Sequence, residues 1–381
     1  MAMGSVLLAI VAVSAACSTP SGSSSSAGAS STSGATTSAG KAAVAAAQAV
    51  VAKYANTPAS IPVTTPLKSP APKGKTLIFL TQGNVPGVVK LGQGEQQAAA
   101  AIGWNFSEVN YDASNPATLQ SALSTALIKR PTVVSLTGTD PAQIGASTLA
   151  AYAAAGIPII DSTAADVTVT KTLLGDPGGP SSYAASAQAA AAWFVVNSGG
   201  TGKALVATVS GLTILGVYAD AFVAEVKTLC PSCSAKIVPV PVSAAVGGQE
   251  PGLVVAALRS NPGYKYLFFD DGDFGIGINS ALSSAGISGI KIGGGDFQPQ
   301  EAAALKAGTQ SVWTGENLTD IGYTVVDVAL RYVEGMPITE DSNPQPVELM
   351  TQTNIGDATD FQQPADALQQ WETLWHVPAG G

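Results

Sequence analysis

Three carboxylates fall within four residues in the run Phe268-Phe269-Asp270-Asp271-Gly272-Asp273. Such a cluster could hold a metal ion or work as a carboxylate pair. Its spacing lacks the pattern of a calcium loop, so hydrogen bonding to a ligand is the better reading. Other chemistry has little to draw on. The chain has one histidine, His376 near its C-terminus, which argues against a Ser-His-Asp triad, a histidine base or a His-rich metal site. Cys230 and Cys233 have CxxC spacing, but they follow a helical pattern and precede a strand, the wrong context for a redox motif. No further ligands are spaced to complete a zinc site. The pair predicts a local structural disulfide in an oxidising compartment. Gly199-Gly200-Thr201-Gly202-Lys203 mimics a phosphate loop, yet it precedes a strand and has Asn197 where the first Gly belongs, so it reads as a turn. No catalytic residue, metal or cofactor is expected, and the chain is not read as an enzyme.

The chain has 381 residues, 26 of them acidic and 17 basic, for a net charge of −9. No basic stripe is present, which argues against a nucleic-acid partner, since phosphate contacts need clustered Lys and Arg. Apolar residues make up 46% and charged residues 11%, enough to bury a large core. Near the N-terminus, Val6 to Val13 is an apolar run that ends in Ser14-Ala15-Ala16-Cys17. The run is shorter than the ~20 apolar residues of a membrane-spanning helix and has the length of a signal-peptide core. A Cys directly after small residues resembles a bacterial lipoprotein box, so 1–17 is read as a lipoprotein signal peptide with Cys17 the lipidated residue. Ser14 stands where that pattern has Leu, and Met1 to Ser5 carries no Lys or Arg. Residues 18–74 are expected to form a flexible Ser/Gly tether (Ser18 to Gly40), a helix (Lys41 to Tyr54) and a Pro-rich lead-in (Pro58 to Lys75). The folded body is therefore expected outside the cytoplasm, anchored to the cell membrane by lipid.

The body must position whatever binds, and its pattern is an alternation of strand and helix. Apolar runs at Thr76–Leu80, Phe106–Tyr111, Thr132–Leu136 and Pro158–Ile160 read as strands, with helices at Val88–Ile102, Pro116–Ile128 and Pro141–Ala154 between them. The alternation restarts with a helix at Ser181–Asn197 and runs through strands at Ala204–Thr208, Lys236–Val242, Tyr266–Phe269, Lys291–Gly293 and Ser311–Thr314. Ile321 to Glu334 reads as a helix, Val347 to Thr351 as a strand and Ala365 to Trp375 as an amphipathic helix. The fold class is α/β, with two doubly wound lobes facing each other across a hinge-linked cleft. The expected partition gives 75–175 and 317–355 to the first lobe, 176–316 to the second and 356–381 to a tail helix. Such sheets bind ligands at the carboxyl ends of their strands. The candidates there are Thr81, Gln82, Asn84, Thr137, Thr139, Asp161, Ser162 and Thr163 in the first lobe. In the second they are Ser210, Asp271, Asp296 and Glu316, with Asp270 and Asp273 beside them. Trp313 ends a strand near the cleft and is the tryptophan best placed to stack on a ligand; the others read as core or docking residues.

Several of these runs together resemble a type I periplasmic binding protein, the ribose- and galactose-binding kind found in ABC importers. Thr81-Gln82-Gly83-Asn84-Val85-Pro86 is similar to that family's first ligand loop, and Ala154-Ala155-Gly156-Ile157-Pro158-Ile159-Ile160-Asp161 to its run into the fourth strand. Gly293-Gly294-Gly295-Asp296-Phe297 is similar to its Gly-Asp strand end. The resemblance covers roughly Lys75 to Thr351 and implies that Asp271, Asp296, Glu316 and Thr81 stand at ligand positions. It also implies a monomeric carrier that closes on a small polar solute and hands it to a permease. The hinge segments would run near Ala164 to Gly175 and near Glu316 to Asp320. The departures are as specific. The family's paired Phe residues fall on Gly87 and Val88, its Asp-Arg pair on Thr163 and Ala164, and a further Arg near Gly216. Aromatic faces and Arg forks grip pentoses, so the ligand would be another sugar, a polyol or a less polar molecule. A receptor that presents its ligand to a sensor kinase would have the same sequence. An extracellular α/β enzyme would need a nucleophile with a base, and none is evident.

Overall fold

In the computed structural model, residues 38–83, 85–113 and 115–378 are described. Cys17, the leader and most of the tether lie outside the described residues, as does Asn84. The chain opens with α1 (Ser38–Lys53) and crosses an extended Pro-rich segment to β1 (Thr76–Thr81). There follow α2 (Pro86–Ile102), β2 (Asn105–Asn110), α3 (Pro116–Lys129), β3 (Val133–Thr137), α4 (Pro141–Ile144), α5 (Ala146–Ala155) and β4 (Ile159–Ser162). These four strands form one parallel sheet in the order β2-β1-β3-β4. The helix expected across Pro141–Ala154 is two helices, because Gly145 takes φ 81° and ψ 144°, where the helix cannot continue.

The second series is α6 (Pro180–Asn197), β5 (Lys203–Ser210), α7 (Thr213–Leu229), β6 (Ser234–Pro241), α8 (Val242–Val246), α9 (Glu250–Ser260), β7 (Tyr266–Phe269), α10 (Ile278–Ser284), β8 (Lys291–Gly294), α11 (Pro299–Lys306) and β9 (Val312–Glu316). The chain ends with α12 (Leu318–Glu334), β10 (Val347–Met350) and α13 (Ala367–Leu374). The second sheet has six strands in the order β10-β9-β8-β7-β5-β6. Its last strand corrects the expected partition, which gave 317–355 to the first lobe. β10 pairs antiparallel with β9, from Val347 opposite Glu316 to Met350 opposite Trp313, and so belongs to the second lobe.

Each sheet is covered on both faces, which is why its strands read as continuous apolar runs. In the first lobe, Leu77 and Ile160 pack under α2 and α12 with Trp104, Val326 and Leu330, while Leu80, Val134 and Leu136 meet Leu123 and Tyr152. In the second, Val206 and Phe268 meet Phe194, Tyr218 and Phe222, while Leu267, Phe269 and Trp313 meet Val254, Leu282 and Leu305. Trp313 is fully buried, stacks on Phe269 at 6.4 Å and donates from Nε1 to Gln310 at 2.8 Å, so it is a core residue and not a ligand stacker. The Cys230–Cys233 disulfide closes the end of α7.

The chain passes between the lobes at 163–179, at Asn317 and at 335–346. The terminal segments add two more crossings. α1 packs on α6 of the second lobe before the chain reaches Ile61, Val63 and Leu67 in the first-lobe core. After β10, residues 351–366 return the chain to α13, whose Trp371 and Trp375 are fully buried against α12. Their indole Nε1 groups donate to Asp320 at 2.5 Å and Asp327 at 2.8 Å. α12 itself is held to α2 at backbone distance. A Cβ on Gly94 would stand 2.1 Å from the Thr319 carbonyl oxygen, and one on Gly322 would stand 2.3 Å from that of Leu91. We expect Gly94→Ala and Gly322→Ala each to destabilise the protein by about 1–3 kcal/mol in denaturant unfolding, because the helices must part to admit a methyl group. A loss of under about 0.5 kcal/mol at both positions would refute the close approach, being no more than an ordinary surface change.

Candidate functional site

The carboxyl ends of both sheets face one another, and a cavity of ≈ 100 Å³ lies between them. From the first lobe it is lined by Gln82, Val85, Val88, Ala113, Thr137, Gly138 and Thr163. From the second come Tyr183, Leu212, Ile214, Leu215, Val242, Val246, Asp271, Asp273 and Phe274. The lining is therefore mixed, with polar side chains from both lobes, the carboxyl groups of Asp271 and Asp273, and aliphatic side chains chiefly from the second lobe. The cavity is smaller than the ~300–1,000 Å³ of ordinary ligand pockets because the lobes touch. The Gly87 backbone N–H donates to Asp273 Oδ2 at 3.0 Å, and Lys90 Nζ donates to Gln298 Oε1 at 2.7 Å and Asp360 Oδ1 at 2.6 Å.

Local sequence explains the acidic part of the lining. β7 stops at Phe269, and a single turn at Gly272–Phe274 follows, capped by Asp271, whose Oδ1 accepts from the Asp273 N–H at 2.8 Å. Gly272 lies so close to the end of β8 that a Cβ there would stand 2.4 Å from the Asp296 carbonyl oxygen. This brings Asp271 and Asp273 beside Asp296, whose Oδ2 accepts from Gln298 Nε2 at 3.0 Å. Glu316 ends β9 on the same side, 6% exposed. In the first lobe, Thr137 and Thr163 share a hydroxyl hydrogen bond of 2.6 Å, and Gln82 Nε2 donates to Tyr111 Oη at 2.6 Å. Thr163 and Asp296 both hold left-handed backbone, with φ 47° and 44°, a strained choice for residues with side chains.

Of the residues expected from sequence, Gln82, Thr137, Thr163 and Asp271 line the cavity. Thr81 and Ser162 are buried in or at the ends of their strands. Asp161 is buried behind the cleft floor, with Oδ1 accepting from the Thr139 N–H at 3.3 Å and Oδ2 without a partner. Asp296 and Glu316 do not line the cavity, although Asp296 Oδ2 approaches Gly87 of the first lobe, and Ser210 is exposed at the end of β5. The sequence reading missed Tyr183 and the aliphatic part of the lining. Tyr183 sits in the first turn of α6, directly after a crossing, and Leu212 and Leu215 lie at the start of α7, directly after β5. Both positions follow the rule that strand ends and the helix starts beyond them face the cleft, but their apolar and aromatic types read as core.

Burial raises the pKa values across this site. Glu316 is pushed up to about 8 and Asp270 to about 7 by burial. Asp271 is held well above the usual carboxylate range by burial, then by repulsion from Asp273 and Asp296. Asp296 is raised by burial against the opposing pull of Lys90. Tyr183 is raised by burial and by the charges of Asp271, Glu316, Asp296 and Asp270. Away from the site, Glu95 and Glu250 also rise to about 8 through burial. Among the described residues, no cluster of three or more His, Cys, Asp or Glu is arranged to hold a metal ion. No helix among them is long and apolar enough to cross a membrane.

A family model described as a periplasmic binding protein domain matches residues 77–337. A search of curated proteins gives no match. Among solved structures, the chain is similar to an ABC transporter solute-binding protein from Agrobacterium vitis bound with α-D-tagatopyranose. The TM-score is 0.64 at 20% identity, over 75% of this chain and 97% of that one. It is similar to a periplasmic ribose ABC transporter protein from Conexibacter woesei, with TM-score 0.61 and 16% identity over 76% and 95% of the two chains. It is also similar to a LacI-type transcriptional regulator from Bacteroides fragilis, with TM-score 0.59 and 16% identity over 74% and 99%.

The raised carboxyl groups fix a pH dependence. Between the ordinary glutamate value of 4.5 and the folded value of about 8, the folded chain keeps a proton on Glu316 that the unfolded chain has released. Stability must then fall as pH rises through that window. We expect the melting temperature of the free protein to drop by several degrees from pH 5 to pH 8, and Glu316→Gln to flatten part of that slope. A melting temperature that rises across the same range would overturn the assignment.

Proposed function

Because the chain belongs to the periplasmic binding protein domain family, we propose that it is an extracytoplasmic solute-binding lipoprotein of an ABC transporter. It captures a small polar solute, a sugar or sugar-like molecule, between its lobes and delivers it to permease subunits in the membrane. The observation that carries this reading is the cavity where the carboxyl ends of two parallel sheets meet, with hydrogen-bonding side chains from both lobes on its wall. Gln82, Thr137 and Thr163 grip the solute from one side, and Asp271 and Asp273 with Tyr183 from the other. Asp296 and Glu316 add nearby carboxyl groups. Opening about the crossings near 163–179 and Asn317 admits the solute, and closure excludes water and presents a recognisable outline to the permease. No bond of the solute is broken, so no nucleophile or general base is required. Cys17 carries the lipid. The resident form is a monomer, since each chain contributes both halves of its cleft.

A thermal-shift panel of sugars, polyols and amino acids tests this. At least one solute should raise the melting temperature by several degrees and be recovered unchanged. Asp271→Asn should weaken its binding roughly tenfold to a hundredfold, the cost of removing a charged acceptor. Chemical conversion of the bound solute, or an unaltered affinity in that variant, would overturn the proposal.

A further inference from the structure

The acidic wall narrows the solute class within the reading just given, on which this inference rests. Asp271 and Asp273 line the cavity, and the charges of Asp296 and Glu316 lie near enough to act on them and on each other. The cation that reaches this group is Lys90, whose Nζ is already held by Gln298 Oε1 at 2.7 Å and Asp360 Oδ1 at 2.6 Å. Two acceptor oxygens have no hydrogen-bond partner: Asp273 Oδ1 and Oε1 of Glu316, a residue 94% of whose surface is buried (6% exposed). Once ionised these carboxylates can only accept, so their ionised forms need donors that the neighbouring residues supply sparingly.

We propose that the cavity takes a compact amine-bearing solute, an amino sugar or amino polyol, with its ammonium group on the Asp271–Asp273 side. A neutral hydroxyl can donate one hydrogen bond to this wall but leaves the repulsion among the carboxylates in place. An ammonium supplies three donors and the missing positive charge together. Leu212, Leu215 and Val242, which also line the cavity, have no polar side-chain atom and suit the C–H face of the same molecule. Burial and mutual repulsion already hold Asp271 and Asp296 toward their protonated forms, and a bound cation restores their charge.

The test is titration calorimetry and thermal shift with matched pairs: serinol against glycerol, and D-glucosamine against D-glucose and N-acetyl-D-glucosamine. The amine member of each set should bind tighter than its neutral partners by roughly tenfold or more, as close charge pairs in protected sites do. The margin should shrink at an ionic strength of about 0.5 M. It should also collapse in Asp273→Asn and in Glu316→Gln, two variants of near-identical shape. Equal or tighter binding of the neutral members overturns the solute class and leaves the carrier reading standing. An amine preference that survives both substitutions also overturns it, because the charge is then held elsewhere. If none of these solutes binds, the inference fails, and the carrier reading fails with it only if the wider panel of sugars, polyols and amino acids is silent too.

Discussion

The stretch from α6 to β9 is inserted into the first lobe, and the chain is seated back there by the backbone approach of α2 and α12. Gly94 and Gly322 let two helices far apart in sequence pack with carbonyl oxygens where side chains would otherwise stand. The chain can leave the first lobe after β4, build a complete sheet and return through Asn317 because α12 has a groove on α2 to return to. Asn317 makes that return sharp by capping α12, its Oδ1 accepting from the Asp320 N–H at 3.1 Å. Asp320 in turn accepts from Trp371 of the tail helix. A cap, a glycine contact and an indole therefore converge within one turn at the joint between the lobes, so the orientation of the cleft depends on packing rather than on the connecting segments.

The cleft works against that stability. Carboxylates at the ends of β7, β8 and β9 are gathered by the pitch of a parallel sheet, whose strand ends lie side by side whatever residues occupy them. Removing like charges from water costs free energy unless each finds a partner. Here Lys90 supplies part of the compensation and does so from the other lobe, so the electrostatics of the wall depend on the lobes being together. Local strain of this kind is expected where binding energy is to be recovered from a ligand.

Most of the architecture was legible in the sequence. Buried parallel strands leave unbroken apolar runs, as in Thr76–Thr81 and Val133–Thr137, and helices between them open with Pro at N1, as at Pro86, Pro116 and Pro180. Asp271, Thr137 and Thr163 were legible because polar residues at the ends of apolar strands stand out, although Thr81, Ser162 and Ser210 carry the same signal and do not line the cavity. The destination of β10 was not, because residues 347–350 pair with β9 through backbone groups that any sequence presents. The aliphatic side of the cavity escaped because Leu212 and Val242 look like core until the opposing lobe is in place. Trp313 erred the other way. Its position at a strand end suggested the cleft, but alternation along β9 turns it into the packed face.

The placement of the indoles has a practical corollary. Of the chain's five tryptophans, Trp104, Trp193, Trp313, Trp371 and Trp375, none lines the cavity. A bound solute therefore has no indole to quench by contact. Trp371 instead touches the carboxylate of Asp320, one turn beyond the inter-lobe joint. Tryptophan emission from this protein would register rotation at the joint without direct contact with the occupant.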